Sequence, residues 1–282
     1  MVGETLTLEI LQTQIEEERQ RRIEEHKREV RERGLIAAAG RPLNLFAEGD
    51  SWFDYPLSRD TIGWIRAEGT PRPAILNLAH HGDAASQILG VSRRKRIIAN
   101  LTDPDNGTFD ALLFSAGGND IAGDQFVLWV LKFVQGGDPL HGIDRQRLSA
   151  MLGVIQGAYI DLIEIRNEVA PNCLIFLHGY DFAQPTGVGV CNIGPWLRPS
   201  LDFRGWTNFG LASQIVKEVL ISFDKLLVQL EQQHKGVFYV RTQGVLSPSA
   251  DWANELHPTE PGFQKIARAF LRDLRTRFRG RI

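Results

Sequence analysis

Residues 45–52 read Leu45-Phe46-Ala47-Glu48-Gly49-Asp50-Ser51-Trp52, an apolar run that stops at a glycine, an acid and a serine. A short apolar run bounded by turn residues has the form of a buried strand. The run begins at Leu43, and four further stretches repeat the form: 74–79, 110–115, 173–177 and 237–240. Helical patterns lie between them, at roughly 84–101, 121–134, 143–169 and 209–234, and a last one covers about 260–278. This alternation predicts an α/β domain with a mostly parallel sheet, helices on both faces and right-handed connections.

In open sheets of this kind the reactive groups collect outside the carboxyl ends of the strands. Ser51 follows the first strand, and His80-His81-Gly82-Asp83 follows the second. Gly117-Gly118-Asn119-Asp120 follows the third, His178, Tyr180 and Asp181 follow the fourth, and Leu256-His257-Pro258 precedes the last helix. A serine hydroxyl becomes a good nucleophile only when a base takes its proton, and a neutral histidine serves near pH 7. The oxyanion formed by attack on a carbonyl requires preorganised donors. The backbone N–H groups of Ser51 and Gly82 and the side-chain amide of Asn119 are the candidates.

Ser51, Gly82, Asn119 and His257, in that chain order, resemble the conserved blocks of the GDSL/SGNH hydrolases. Gly118-Asn119-Asp120 directly after an apolar strand is the more specific element. The resemblance runs from about Leu43 to the last helix. It implies a three-layer α/β/α sandwich with a five-stranded parallel sheet. It also implies hydrolysis of carboxylic esters (acyl-lipid, acyl-carbohydrate or small acyl esters) through an acyl-enzyme. No G-x-S-x-G pentapeptide occurs, which disfavours the ordinary α/β-hydrolase fold.

The third catalytic member departs from that pattern. The family places an Asp three residues before the histidine, and here the position is Asn254. An amide oxygen can accept the imidazole N–H but brings no charge, and a turned amide would favour the wrong tautomer. In a serine protease the corresponding Asp→Asn change costs about 10⁴ in turnover. Asp251 is the nearest substitute carboxylate, and a main-chain carbonyl is a third way to orient the ring.

Other readings compete for these residues. Ser51 could simply cap the helix after the first strand, and Asn119 could satisfy a turn. His80, His81 and Asp83 superficially resemble a metal site, but adjacent histidines cannot easily face one ion. No metal and no cofactor is expected, since phosphate-loop and dinucleotide fingerprints are absent. A binding or scaffolding protein on a hydrolase frame is the main alternative to an enzyme. The segment 185–206, rich in Pro, Gly and Trp, is expected to shape a pocket with Trp52, Phe53, Tyr55, Tyr180 and Trp196.

The 282 residues divide into a charged helical arm, 1–34, and a hydrolase domain, 35–282. In the arm Glu17/Arg21, Glu18/Arg22, Glu24/Arg28 and Glu29/Arg33 stand four apart with the acid first, as on an exposed helix. Leu8, Leu11 and Ile15 form a short apolar stripe, expected to seat the arm on the body or to hold a second subunit. A net charge of −2 suggests neither nucleic acid nor an acidic membrane as partner. The two cysteines, Cys173 and Cys191, sit in unlike contexts, and no signal-peptide or membrane-span pattern is read. A cytoplasmic location and a small-molecule ester substrate are the expectations.

Overall fold

The five expected strands all form in the computed structural model, which describes residues 2–34, 41–190 and 193–282, with side chains of the first helix described from Ile10 onward. They are β1 (Asn44–Gly49), β2 (Ala74–Asn77), β3 (Ala111–Ser115), β4 (Leu174–His178) and β5 (Val237–Val240). Every neighbouring pair is parallel, in the order β2-β1-β3-β4-β5. β1 and β3 are buried along their whole length. That burial on both faces explains why these strands read as continuous apolar runs and not as alternating ones. The winding reverses between β1 and β3, which opens a crevice at their carboxyl ends.

Nine α-helices lie among the described residues: α1 (Val2–Gly34), α2 (Thr61–Glu68), α3 (Ala85–Ile88), α4 (Val91–Thr102), α5 (Gly118–Ile121), α6 (Arg145–Val169), α7 (Arg198–Phe203), α8 (Phe209–Gln233) and α9 (Glu260–Arg277). The sheet and its flanking helices form the SGNH/flavodoxin-like α/β/α sandwich. α2 packs on α9, while α6 packs on α3, α4, α5 and α8. Among the described helices α6 is long and apolar enough to cross a membrane. Its Leu148, Ile155, Tyr159, Leu162, Ile163 and Ile165 are buried in the domain core.

Several elements depart from the sequence reading. The helix expected over 121–134 is replaced by a single 3₁₀ stretch, Asp124–Leu128, and an isolated bridge between Val130 and Ile143. Gly123 at φ 98° breaks the helix, and the Trp129 indole donates to the Ile121 carbonyl at 2.9 Å. The helix expected over 84–101 is interrupted before Val91, with Gly90 extended as the cap of α4. A helix after the first strand is present as α2, but it starts ten residues beyond Ser51, and short α7 has no counterpart in the sequence reading.

α1 is seated by a different stretch than the expected stripe. Leu11 is exposed and Ile15 half-buried, and the Leu8 side chain lies outside the described residues. The buried face is Arg19, Ile23 and His26, with His26 stacked on Phe109. Both of the histidine's ring nitrogens are buried, and burial lowers its pKa to about 4. Cys173 is buried as a free thiol pushed up to about 12, and Cys191 lies outside the described residues.

Candidate active site

Ser51 sits two residues beyond β1 in a turn closed by the Phe53 and Asp54 N–H groups on the Asp50 carbonyl, at 3.0 and 3.1 Å. Gly49 permits the close approach that starts this turn, since a Cβ there would lie 2.4 Å from the Ser115 carbonyl oxygen on β3. The serine caps no helix: α2 begins ten residues later and is capped by Asp60, which accepts from the Gly63 N–H at 2.7 Å. Beneath Ser51 lies the buried Asp50 carboxylate. It accepts from the Trp52 N–H at 3.0 Å, from Ser115 Oγ at 3.1 Å and from the Tyr180 hydroxyl. Burial raises its pKa to about 7. The same tyrosine oxygen accepts the Gly118 N–H at 3.0 Å, tying the Ser51 turn to the loop after β3.

His257 Nε2 lies 2.8 Å from Ser51 Oγ. On the other side of the ring, Nδ1 lies 2.9 Å from Asn254 Oδ1. The tight turn is closed by the His257 carbonyl, which accepts from the Ala253 N–H at 2.9 Å, and Thr259 then caps α9. Asn254 Oδ1 also accepts the backbone N–H groups of Leu256 and His257, each at 3.0 Å, while Nδ2 donates to the Tyr55 hydroxyl at 3.3 Å. Rotating the amide would set its NH₂ against those backbone donors. The oxygen therefore faces Nδ1, the proton sits on Nδ1, and Nε2 keeps its lone pair for the serine proton. Asp251 points elsewhere, with Oδ2 2.6 Å from both Lys265 Nζ and the Ser247 N–H. Burial, then the charge of His81, lower the His257 pKa to about 4.

Gly82, on the loop after β2, has φ +83°, a conformation that favours glycine. Asn119 lies in α5 after β3, and its Nδ2 donates to the Asp83 carbonyl at 3.0 Å, leaving its second amide hydrogen for another acceptor. Among the described residues no protein acceptor takes the Ser51 or Gly82 N–H. Ser51 follows β1, Gly82 follows β2, and Asn119 follows β3.

Ser51 and Asn119 open onto an apolar cavity of about 50 Å³ walled by Ile121, Ala122, Phe126, Val216, Val219 and Leu220. The four aromatic residues expected to bind substrate divide into two groups. Trp52 and Tyr180 line this cavity but are buried with their polar atoms bonded inside the protein, Trp52 Nε1 to the Leu256 carbonyl at 3.1 Å. Tyr55 stacks on the His257 ring at 4.7 Å, and half-buried Trp196 meets that ring edge-on at 5.7 Å. His178 is fully buried, with Nδ1 3.0 Å from Ser115 Oγ, and burial lowers its pKa to about 3. Asp181 accepts the N–H groups of Phe182, Gly244 and Leu246.

Two acids whose roles the sequence did not disclose hold the site's loops. Glu255, fully buried two residues before His257, accepts backbone N–H groups from Gly187, Trp196, Leu197 and Arg198 at 2.6–3.0 Å. It staples the Pro- and Trp-rich segment to the histidine turn. Asp83 pairs with Arg19 at 3.0 Å and with Arg93 at 2.5 Å. His80 and His81 stack on each other at 4.2 Å, and no group of three metal-ligating side chains is found among the described residues. Neither role carries a sequence signal, because the backbone groups that Glu255 holds lie 57–68 residues away in the chain and Arg19 lies 64 residues from Asp83.

No protein-family model and no curated protein matches the chain. Among solved structures, a lipase from a goat rumen metagenome aligns with TM-score 0.52 and 15% identity, over 81% of this chain and 95% of that one. A Streptococcus pneumonia protein named for platelet activating factor aligns with TM-score 0.52 and 13% identity, over 96% of this chain and 99% of that one. At identities this low the likeness is one of fold.

Proposed function

We propose that the chain is a GDSL/SGNH-type serine hydrolase of carboxylic esters. The observation that carries the reading is the pair of contacts on one imidazole ring, Ser51 Oγ to His257 Nε2 at 2.8 Å and Nδ1 to the Asn254 oxygen at 2.9 Å. A fold shared with a lipase is in keeping with it.

In this reading the Ser51 oxygen attacks the ester carbonyl carbon while its proton passes to His257 Nε2. The carbonyl π pair becomes an oxyanion, received by the Ser51 and Gly82 N–H groups and the free Asn119 amide hydrogen. Asn254 holds the ring through Nδ1–H without a counter-charge. Collapse of the intermediate breaks the bond to the alkoxy oxygen, which takes the proton from Nε2 and leaves as the alcohol. A water molecule, deprotonated by the same nitrogen, then attacks the acyl carbon; the bond to Ser51 Oγ breaks, the serine oxygen takes the proton back from Nε2, and the acid is released. The cavity beside Ser51 receives the acyl group. Its 50 Å³ is several times the ~10–15 Å³ that one water-sized group requires, which suits a short acyl chain.

The test is hydrolysis of p-nitrophenyl acetate by the wild type and Ser51→Ala, together with labelling by a fluorophosphonate and peptide mapping. Turnover lost in Ser51→Ala with an unchanged circular dichroism spectrum, and label on Ser51, are expected. Equal turnover in both proteins, or no label, would leave a binding protein on a hydrolase frame as the better account.

A further inference from the structure

α1 grips both loops that carry the reaction, and it does so with two arginines one helical turn apart. Arg19 and Arg22, three residues apart, lie on neighbouring parts of one helix face. Arg19 Nη2 lies 3.0 Å from Asp83 Oδ2, with both side chains almost fully buried, and its Nε donates to the Leu78 carbonyl at 3.2 Å. Asp83 directly follows Gly82, and its carbonyl accepts the Asn119 amide at 3.0 Å. Arg22 Nη2 lies 2.8 Å from Asp54 Oδ1, and its Nη1 donates to the Ala79 carbonyl at 3.2 Å. The Asp54 N–H closes the Ser51 turn on the Asp50 carbonyl.

We propose that Arg19 and Arg22 are positioning residues for the reaction at Ser51, holding the oxyanion loop and the nucleophile turn in register from one helix. The inference rests on the hydrolase reading above. A buried ion pair contributes little stability that a well-packed apolar pair would not, because desolvation offsets its attraction. What such a pair adds is geometry: the guanidinium presents a rigid planar fork, here bonded at once to a strand-end carbonyl and a loop carboxylate. Gly82 itself sits in an open turn with nothing within 4 Å of where a Cβ would be. The position of its N–H therefore depends on the anchoring of Asp83, its neighbour.

The experiment uses the full chain with Arg19→Met, Arg19→Lys and Arg22→Met, assayed on p-nitrophenyl acetate beside thermal unfolding. Arg19→Met is expected to lower kcat by about 10–10²-fold, the scale of an ångström-sized misplacement, with KM close to wild type. Arg19→Lys should recover part of the loss, and fluorophosphonate labelling of Ser51 should slow in parallel. A folded Arg19→Met with wild-type kcat overturns the inference while wild-type turnover leaves the hydrolase reading intact. Wild-type protein without Ser51-dependent turnover removes that reading, and the inference with it. If Arg19→Met fails to fold, Asp83→Asn takes its place. A selective fall in kcat in that variant supports the clamp, and an unchanged kcat overturns it.

Discussion

The Asn254 side-chain oxygen stands 2.9 Å from His257 Nδ1 and accepts two backbone N–H groups of the same turn, those of Leu256 and His257 itself. Those two donors fix the amide, so the tautomer penalty expected of an asparagine in this position is removed. The charge is still missing: among the described residues no carboxylate bonds the ring, and burial lowers the imidazole pKa to about 4.

Asn254→Asp should therefore be tolerated and should make a stronger base. An Asp would keep all three N–H donors, and the Tyr55 hydroxyl can turn to donate to its second oxygen. An opposite charge beside the ring favours the imidazolium and raises its pKa. The acid limb of kcat/KM, near pH 4 in the wild type, should move to higher pH, while kcat near pH 8 rises. The gain should fall well short of the ~10⁴ factor seen where the tautomer is also lost. Asp251→Asn should leave the pH–rate profile in place, because that carboxylate serves Lys265 and Ser247. A profile unmoved by Asn254→Asp would remove Asn254 from the relay.

Asn119→Ala should lower kcat by about 10²–10³-fold, with a smaller change in KM, as loss of one oxyanion donor does. Steady-state kinetics on p-nitrophenyl acetate distinguish this from ground-state binding, in which KM alone would rise.

A short acyl group should be preferred, because Phe126, Val219 and Leu220 close the cavity beside Ser51. Turnover of p-nitrophenyl esters should peak at acetate or butyrate and fall for decanoate. Leu220→Ala should move the optimum to longer chains. The truncation also costs about 2–5 kcal/mol of stability, so its unfolding must be followed alongside. A decanoate preference in the wild type would place the acyl chain outside this cavity.

Glu255→Gln should destabilise the protein by about 2–4 kcal/mol, measured by urea or thermal unfolding, because hydrogen bonds to a charged acceptor are the strong ones. A glutamine can keep one oxygen for two of the four N–H groups, but its NH₂ then faces the other two. If stability is unchanged, the Pro- and Trp-rich segment is held by its other contacts.

The strand pattern was legible because burial on both faces makes a parallel strand a continuous apolar run. That pattern is local. Ser51, Gly82 and Asn119 stood out in the sequence because each follows a strand within a few residues, where a parallel sheet collects its polar groups, and the structure sets His257 Nε2 2.8 Å from Ser51 Oγ. The region over 121–134 read as a helix by its apolar spacing, but the Trp129 indole and the Val130–Ile143 bridge impose another path. Such contacts join residues that the sequence does not mark as partners.

By itself, then, the sequence determined the five strands, their order along the chain and the candidate residues that follow them. Only the tertiary structure decided between Asn254 and Asp251, because the choice depends on which side chain the turn before α9 aims at Nδ1. It likewise decided the seat of α1: the Leu11 and Ile15 stripe read as the anchor, yet Arg19, Ile23 and His26 are the buried face. An apolar residue carries its preference for burial in its own chemistry. A buried arginine is determined by the carboxylate that meets it, and Asp83 lies 64 residues away along the chain.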